Sequence, residues 1–425
     1  MKRWTYTFCT CVVLTRSLAA QQQTRADSLR QKAIRDSIAL IQQLEAAAAA
    51  RQPAPTGGAQ GPTNPRLLPD ISAVGDLVAD LSPRGSTQVD NTRFGAREVE
   101  LAVQAVVDPY FRGDIFLGFS DPEGAAIEQA YLTTTSLPDV ELKLGRFLMP
   151  VGKLNTTHRH DLHMIEYPWV IQRFFGEEGL RGTGVSGSKV FAPFGFYQEL
   201  LVTAVDRLSE APDSLIVFEP VNKSLTGFGY SARLRNYIDF NESTNLEVSA
   251  SAVTGKVERG ILDETGTIFD LFGVNATLGR QTMFGGDFTF RWRPLQQGLY
   301  QSVILQGEYI RQVNEANPVT RTITAPGATA TLLIANPGRD FNGAYLFGRV
   351  QMSQRLFLGA RYDNVQDPFF AGATLAAGSG YLEWFPSEFS KLTAAYERLY
   401  QNATGVNRIL FQASFALGPH KPHPF

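Results

Sequence analysis

Apolar and polar residues alternate along one strand-length segment after another between residues 71 and 417, and this pattern leaves few architectures open. In REVELAVQAVVDPYFRGDIFLGFS (97–120), Val99, Leu101 and Val103 share one face, while Glu98 and Glu100 share the other. Such alternation is typical of strands that are buried on one side only. Two all-β structures produce it: a sandwich, whose apolar faces meet each other, and a membrane barrel, whose apolar face meets lipid.

Sixteen segments carry the pattern, and most have the length of about ten residues that a tilted strand needs to cross a bilayer. The predicted strands lie near residues 71–82, 96–107, 111–120, 126–136, 140–149, 184–192, 196–206, 225–240, 245–255, 283–293, 300–313, 342–353, 355–364, 374–385, 391–400 and 408–417.

The connections between these strands alternate in length. Every second one is short, as at 108–110 and 193–195, whereas most of the others are longer, up to 150–183. Outer-membrane barrels have short periplasmic turns, long extracellular loops and an even number of strands. A further strand-like segment, IFDLFGVNATLGRQ (268–281), is therefore assigned to an extracellular hairpin extension, which keeps the number of strands even.

The charged faces distinguish a barrel from a sandwich. In the segment 283–293, Phe288 and Trp292 lie on one face, whereas Asp287 and Arg291 lie on the other. Burying such charges in a dry sandwich costs several kcal/mol each unless they are paired, and a water-filled lumen removes this cost. We therefore predict an all-β fold, a 16-stranded antiparallel transmembrane β-barrel over residues 67–417, in contact with outer-membrane lipid.

The segments outside the barrel predict export. Residues 1–20 have a basic start, a short apolar run and small residues at the end, as in a signal peptide that is cleaved near residue 20. Residues 21–50 are predicted to form a short periplasmic helix or coiled coil, 51–66 a Pro/Gly linker, and 418–425 a C-terminal tail. The net charge of −2 gives no reason to expect a nucleic-acid partner. The predicted location is a bacterial outer membrane.

Several stretches resemble porin-like outer-membrane proteins related to the phosphate-selective porin O and P family: LKLGRFLMPVGKLNTTHRHDL (142–162), FTFRWRPLQQG (288–298) and EWFPSEFSKL (383–392). Within them, the GRF..P.GKLN segment is the most specific. The resemblance implies a sixteen-stranded barrel, a homotrimer, a periplasmic N-terminal helix and an inward-folded third extracellular loop. The phosphate-binding arginine ladder of the better-known members has no residue-by-residue match, so anion selectivity is not carried over.

The predicted function is a water-filled channel for small hydrophilic solutes, with loop 150–183 as the constriction. A barrel of sixteen strands is wide enough for an aqueous channel, whose selectivity depends on side chains facing the lumen. The predicted lining has mixed charge, which favours either ion pairs that stiffen the wall or a basic track for anions such as phosphate. It comprises Arg112, Lys143, Arg233, Arg235, Arg291, Arg293, Arg349, Arg361, Glu98, Glu100, Asp114 and Asp287, with Lys153, Glu177, Glu178 and Arg181 in the constriction loop.

The segment HRHDLH (158–163) contains three of the five histidines. In an extended chain His158 and His160 project to the same side, a spacing that can bind zinc or copper, and His163 or Asp161 can complete such a site. A polar constriction loop without metal is the alternative interpretation.

No motif indicates an enzyme. FGEEGLRGTG lacks the Lys-Ser/Thr of a phosphate-binding loop, and no arrangement of Ser, His and Asp stands out. Two alternatives to the channel are a metal-linked barrel and a structural or adhesive barrel without an open pore that displays segments such as 314–341.

Overall fold

The structure is a computed structural model of the chain. It describes residues 69–88, 91–120, 124–176, 178–206, 208, 227–259, 277–315, 319–325, 328–334, 338–368, 372–402 and 404–418. The chain divides into two compact units, and these residues all belong to the second, residues 64–425. The predicted signal peptide, the periplasmic helix or coiled coil, the linker and residues 419–425 of the tail lie outside the described residues.

Eighteen strands occur in the part of the chain that the structure describes. Their bounds are β1 Asp70–Asp80, β2 Phe94–Val106, β3 Phe111–Ser120, β4 Gly124–Thr134, β5 Val140–Leu148, β6 Arg181–Phe191, β7 Tyr197–Val205, β8 Gly229–Asn241, β9 Thr244–Arg259, β10 Thr277–Trp292, β11 Val303–Asn314, β12 Val319–Ala325, β13 Ala328–Ile334, β14 Asp340–Ser353, β15 Leu356–Gln366, β16 Thr374–Ser387, β17 Ser390–Gln401 and β18 Thr404–Leu417.

Sixteen of these described strands form one closed antiparallel barrel, as predicted. Each pairs with its neighbours in the chain, except that β11 pairs with β14 and that β1 closes the cylinder against β18. At the closure, Ala73 is opposite Leu417 and Asp80 is opposite Leu410. The remaining two strands, β12 and β13, pair only with each other and form a hairpin within the connection 315–339. This hairpin was not predicted.

The two ends of the barrel differ in their connections. At one end, the short-turn end, strands are joined by turns such as 242–243, 354–355 and 388–389, and at the other, the long-loop end, by segments such as 149–180 and 315–339. The segment 268–281 adds no strand to the described barrel: residues 277–281 are the first part of β10, which pairs along its whole length with β9. Residues 268–276 lie outside the described residues.

The outer face of the barrel is apolar. Along β5 and β7, Leu142, Leu144, Leu200 and Val202 are exposed on it. Aromatic side chains are exposed near the strand ends, including Tyr110, Tyr300 and Trp384 at the short-turn end and Tyr400 at the long-loop end. An apolar band between aromatic girdles is the lipid-facing surface of a membrane barrel. No helix in the described ranges is long and apolar enough to cross a membrane.

The inner face is polar, and its burial is uneven around the barrel. Along β14 to β18 every second residue is buried almost without exception, whereas most lumen-facing residues of β3 to β6 stay half-buried. One side of the inner wall is therefore covered, and the other side borders open space.

Candidate functional site: a loop inside the lumen

The cover on the inner wall is the connection between β5 and β6, residues 149–180, which we call the lumen loop. It contains two 3₁₀ turns, Leu154–Thr156 and Arg159–Asp161, and one helix, α1, Trp169–Phe175. The helix begins after Pro168 and ends at Gly176, whose φ of 91° is readily adopted only by glycine. Because the loop contacts lumen-facing residues of β2, β4, β9, β11, β15, β17 and β18, it lies inside the barrel.

The lumen loop carries its own apolar core. Its buried side chains pack against apolar residues that the wall turns inward, such as Met283, Ile310 and Phe347. On the loop side this core consists of Met149, Val151, Leu154, Leu162, Met164, Ile165, Tyr167, Val170, Ile171, Phe174, Phe175 and Leu180. Removal of these side chains from water favours the inserted position of the loop over an extended one in solvent.

The GKLN segment, residues 152–155, fixes the start of the loop. The Gly152 and Leu154 N–H groups donate to Ser251 Oγ at 3.2 Å and to Glu308 Oε1 at 2.8 Å. Lys153 Nζ lies 2.7 Å from Glu247 Oε2. A Cβ at position 152 would collide with the Glu308 carboxylate, and the φ there is 64°, so both space and backbone conformation require glycine.

Asn155 joins the two ends of the lumen loop. Its Nδ2 donates to the carbonyl oxygens of Met149 and Leu180, each at 2.8 Å, and its Oδ1 accepts from the Leu180 N–H at 2.6 Å. The side chain is completely buried. These bonds join the two ends of the insertion and satisfy backbone groups that are withdrawn from water.

Helix α1 is attached to the opposite part of the wall. The Trp169 N–H donates to Asp363 Oδ1 at 2.9 Å, and Arg361 lies beneath it, with its Nη1 2.9 Å from the Glu166 carbonyl oxygen. Arg361 also contacts Asp363 at 2.6 Å and Glu397 at 3.2 Å. The buried guanidinium therefore has carboxylate partners, as buried charges require.

Two further basic side chains of the wall, Lys391 and Arg408, bind the lumen loop. Lys391 Nζ donates to the carbonyl oxygens of His160 and Leu162, each at 2.7 Å. Arg408 Nη1 lies 2.9 Å from Glu166 Oε2. Burial alone would raise the pKa of Glu166, but Arg408 outweighs it and lowers this pKa to about 2.

Four adjacent cavities follow the uncovered side of the wall. A cavity of about 410 Å³ at the long-loop end is lined by Arg97, Glu98, Glu128 and Tyr167, among others. It adjoins a gap of about 30 Å³, which Glu98, Glu128 and Tyr167 also line. Beyond Leu148 lies a cavity of about 200 Å³, and this one shares Arg235 with a cavity of about 290 Å³ near the short-turn end. We call this series the passage and its 30 Å³ gap the neck.

Two β-bulges shape the neck. The pairing of β1 with β2 skips Arg97, and the pairing of β3 with β4 skips Glu128. A bulge interrupts the alternation of faces, so the consecutive residues Arg97 and Glu98 both line the passage, as do Glu128 and Gln129. Arg97 and Glu128 were not predicted as lining residues, because strict alternation of faces assigns a bulged residue to the outer face.

The predicted lining residues mostly form ion pairs. Arg233 contacts Asp287 at 3.1 Å, Arg349 contacts Glu383 at 2.8 Å, and Arg112 contacts Asp114 at 2.9 Å. Arg235 and Arg291 both approach Glu247, at 3.3 and 3.4 Å, and Arg361 forms the cluster beneath α1. Lys143 lies over the Tyr131 ring, and Arg293 follows β10 and donates to the Gly298 carbonyl oxygen.

Of the predicted constriction residues, Lys153 and Glu178 lie in the lumen loop, and Arg181 is the first residue of β6. Lys153 contacts Glu247, and Glu178 forms an ion pair with Arg181 at the edge of the neck. Glu177 lies outside the described residues. Glu308 and Asp363 are also acidic residues expected to face the lumen. Together with Lys391 they anchor the loop. This anchoring role was not predicted, because only the folded loop reveals which wall positions it reaches.

The three histidines separate into two places. His158 Nδ1 lies 2.6 Å from Glu100 Oε2, and the rings of His158 and His160 are 5.5 Å apart. His163 lies elsewhere, with its Nδ1 3.9 Å from Glu383 Oε2 and its ring stacked on Phe347. Among the described residues, two groups have a metal-binding composition: Glu98, Glu100 and His160, and Glu100, Glu128 and His158. His163 belongs to neither.

Comparisons with known proteins support the barrel fold. No protein-family model matches the chain. An uncharacterized protein of Aquifex aeolicus is 26% identical over 348 residues, which cover 78% of this chain and 70% of that protein.

Among solved structures, a loop L8 deletion mutant of OmpT, an outer membrane protein of Vibrio cholerae, is similar with a TM-score of 0.51. It is 10% identical, and the match covers 82% of this chain and 99% of that one. The outer membrane channel DcaP of Acinetobacter baumannii has a TM-score of 0.49 at 12% identity, with 85% and 100% of the two chains covered.

Proposed function

We propose that this protein is an outer-membrane channel through which small hydrophilic solutes diffuse along the passage. The main evidence for a channel is that the lumen loop covers only one side of the inner wall. Along the other side lies a series of cavities of about 410, 30, 200 and 290 Å³. An apolar exterior around a charged interior is the arrangement that places water inside a barrel and lipid outside. In such a channel the short-turn end faces the periplasm. The outer membrane protein of Vibrio cholerae with a similar fold supports the outer membrane as the location of the barrel.

The neck sets the size of the solute. A gap of about 30 Å³ has room for only a few water molecules. Small ions therefore pass most easily, and larger hydrophilic solutes need movement of the side chains that line the gap. Lys153 and helix α1 hold the lumen loop against the wall beyond the neck, so the width is set by the docked loop.

Charged side chains of both signs line the neck. Glu178 is paired with Arg181, and Glu166 with Arg408. Glu98 and Glu128 converge at the neck with Glu100 behind them, and His158 and Arg159 also line it. Negative side chains at a constriction attract cations and repel anions. Because the carboxyl groups of Glu98, Glu100, Glu128 and Glu178 outnumber the guanidinium groups of Arg159 and Arg181 at the neck, we propose a weak preference for cations rather than for phosphate.

Conductance in planar bilayers tests the channel. The purified protein should give stepwise currents, and a salt gradient should give a reversal potential of cation-selective sign. Replacing both Glu98 and Glu128 by Gln should shift this potential toward anion selectivity, because it removes two carboxyl groups from the neck while Arg159 and Arg181 remain.

Glu242→Gln is the matched control, since Glu242 is exposed in the turn between β8 and β9, away from the neck. Absence of current in every salt would instead support a structural or adhesive barrel. A homotrimer stays a prediction from the sequence resemblance, and native mass measurement in detergent tests it.

A further inference from the structure

We propose that Glu98, Glu100 and His160 bind a divalent transition-metal ion of the Zn²⁺ type at the neck, with His158 orienting one of the ligands. The binding itself does not depend on the proposed channel function. The consequence for conductance does depend on it: an ion bound at the neck, the smallest of the four cavities, lowers the conductance.

The donor atoms already converge. One ligand atom from each of Glu98, Glu100 and His160 lies within 4.8 Å of the others. Zinc bonds to imidazole nitrogen and carboxylate oxygen at about 2.0–2.2 Å, so donors a few ångströms apart reach one ion through small side-chain rotations. Two carboxylates with one imidazole suit borderline divalent ions such as Zn²⁺.

The backbone holds these donors in place. Glu98 and Glu100 are alternate residues of β2 and both face the lumen. His160 is buried in the second 3₁₀ turn, and its carbonyl oxygen accepts a hydrogen bond from Lys391 at 2.7 Å. A loop can supply a metal ligand when it is ordered, and Lys391 supplies this order.

Hydrogen bonds around His158 decide which of the two groups receives the ion. Gln129 Oε1 accepts from the Leu148 N–H, so Gln129 Nε2 is the atom that faces His158 Nε2, at 2.8 Å. His158 Nε2 therefore accepts, and Nδ1, which faces Glu100 Oε2 at 2.6 Å, carries a proton. Both nitrogens of His158 are thus engaged, and His158 orients the Glu100 carboxylate as residues behind metal ligands commonly do.

Space at the site depends on a glycine. Gly118 of β3 is opposite Glu100 in the sheet, and a Cβ at this position would collide with the Glu128 carboxylate. The missing side chain lets Glu128 reach across β3 toward Glu100 and His158. Together with the bulge at Glu128, this brings a third carboxyl group beside the proposed ligands.

An ion can reach the site from the long-loop end. Glu98 and Glu128 line both the 410 Å³ cavity and the neck. Arg159 and Arg181 also line the neck, and Arg181 is paired with Glu178. Coordination positions that the protein leaves open would face the passage, where water or a solute group can occupy them.

Calorimetric titration of the metal-free full-length protein with Zn²⁺ in detergent tests the proposal. We expect one equivalent to bind, and affinity to fall at least tenfold in His160→Ala and in Glu98→Gln. Glu98 is only half-buried, so its Gln variant tests the site without emptying a buried position. His158→Ala should weaken binding by about 10- to 100-fold, the usual effect of removing a residue that orients a ligand.

His163→Ala is the matched control, because His163 lies in the same loop but against Glu383 and Phe347. Heat-dependent gel mobility establishes that each variant is a folded barrel. Failure of the folded wild type to bind Zn²⁺, or unchanged affinity in both His160→Ala and Glu98→Gln, overturns the proposal.

Bilayer recordings with and without Zn²⁺ separate this proposal from the channel function. Zn²⁺ should lower the conductance of the wild type and of His163→Ala, but not that of His160→Ala. Currents without any Zn²⁺ binding in calorimetry would refute the metal site and leave the channel standing. Zn²⁺ binding without currents in any salt would leave the metal site standing and refute the channel.

Discussion

Lys391 offers the sharpest test of how the lumen loop is held. Its ammonium group is buried and donates to the carbonyl oxygens of His160 and Leu162, each at 2.7 Å. Lys391→Met keeps the length and the apolar contacts of the side chain but removes both hydrogen bonds. The two carbonyl groups are then left in the lumen without this donor.

The expected cost follows from the kind of bond that is lost. A hydrogen bond to a charged group contributes about 1.5–3 kcal/mol net, so two of them contribute at least about 3 kcal/mol. Since about 1.4 kcal/mol corresponds to a factor of ten, the equilibrium for docking of the loop should weaken roughly a hundredfold. The strands should be unaffected, because their ladder of hydrogen bonds does not include this contact.

Hydrogen exchange followed by mass spectrometry measures this opening directly, since amides exchange when a segment opens locally. In Lys391→Met, amides of residues 149–180 should exchange roughly a hundredfold faster, while those of β14 and β15 keep their wild-type rates. Lys189→Met is the control, because Lys189 is exposed on β6. Unchanged exchange in the loop, or equal acceleration in loop and strands, would refute the view that Lys391 holds the loop.

Two other predictions concern buried charges. Arg349 and Glu383 form a bidentate pair at 2.8 and 3.0 Å, so Arg349→Met alone should cost about 3–5 kcal/mol and lower the midpoint of thermal unfolding in detergent. The double variant Arg349→Met/Glu383→Leu should recover most of this loss, and a double variant no more stable than the single would contradict the account. Because Arg408 lowers the pKa of Glu166 to about 2, this contact stabilises the fold above the ordinary glutamate pKa of 4.5 and is lost as the pH falls toward 2. The difference in unfolding midpoint between wild type and Glu166→Gln should therefore be constant from pH 7 to 5 and shrink below pH 4.5.

The strands of the wall could be predicted from the sequence, because apolar and polar residues alternate along them with a period of two residues. Lipid on one side and water on the other force alternation in every strand, so the sixteen strands and their order could be predicted from residues such as Val99 and Glu100. The hairpin β12–β13 was not predicted from this alternation. TRTITA (320–325) and TATLL (329–333) give alternation of small polar and apolar residues, which is weak beside that of the lipid-facing strands.

The neck could be predicted only in part, because it depends on departures from that alternation. Arg97 and Glu128 reach the passage through bulges, and the space for Glu128 comes from a glycine on the strand between. Partners across the lumen, such as Lys153 with Glu247, are set by the path of the loop rather than by distance in the sequence. The histidine motif was recognised in the sequence. The structure separates His163 from His158 and His160, because the turn Arg159–Asp161 changes the direction of the chain between them.

The lumen loop connects the two halves of the wall, and this explains why one insertion can set the width, charge and metal affinity of the passage together. Its polar contacts with β9, β11, β15, β17 and β18 bind it to the covered side, and His158 with His160 brings it to β2 and β4 on the open side. The donors on β2 and the imidazole on the loop therefore keep their spacing only while the covered side holds the loop. It follows that Lys391→Met, although it lies outside the neck, should also weaken Zn²⁺ binding, because the residue whose carbonyl it releases is His160. Full Zn²⁺ affinity in a variant whose loop exchanges a hundredfold faster would mean that the loop and the metal site are independent.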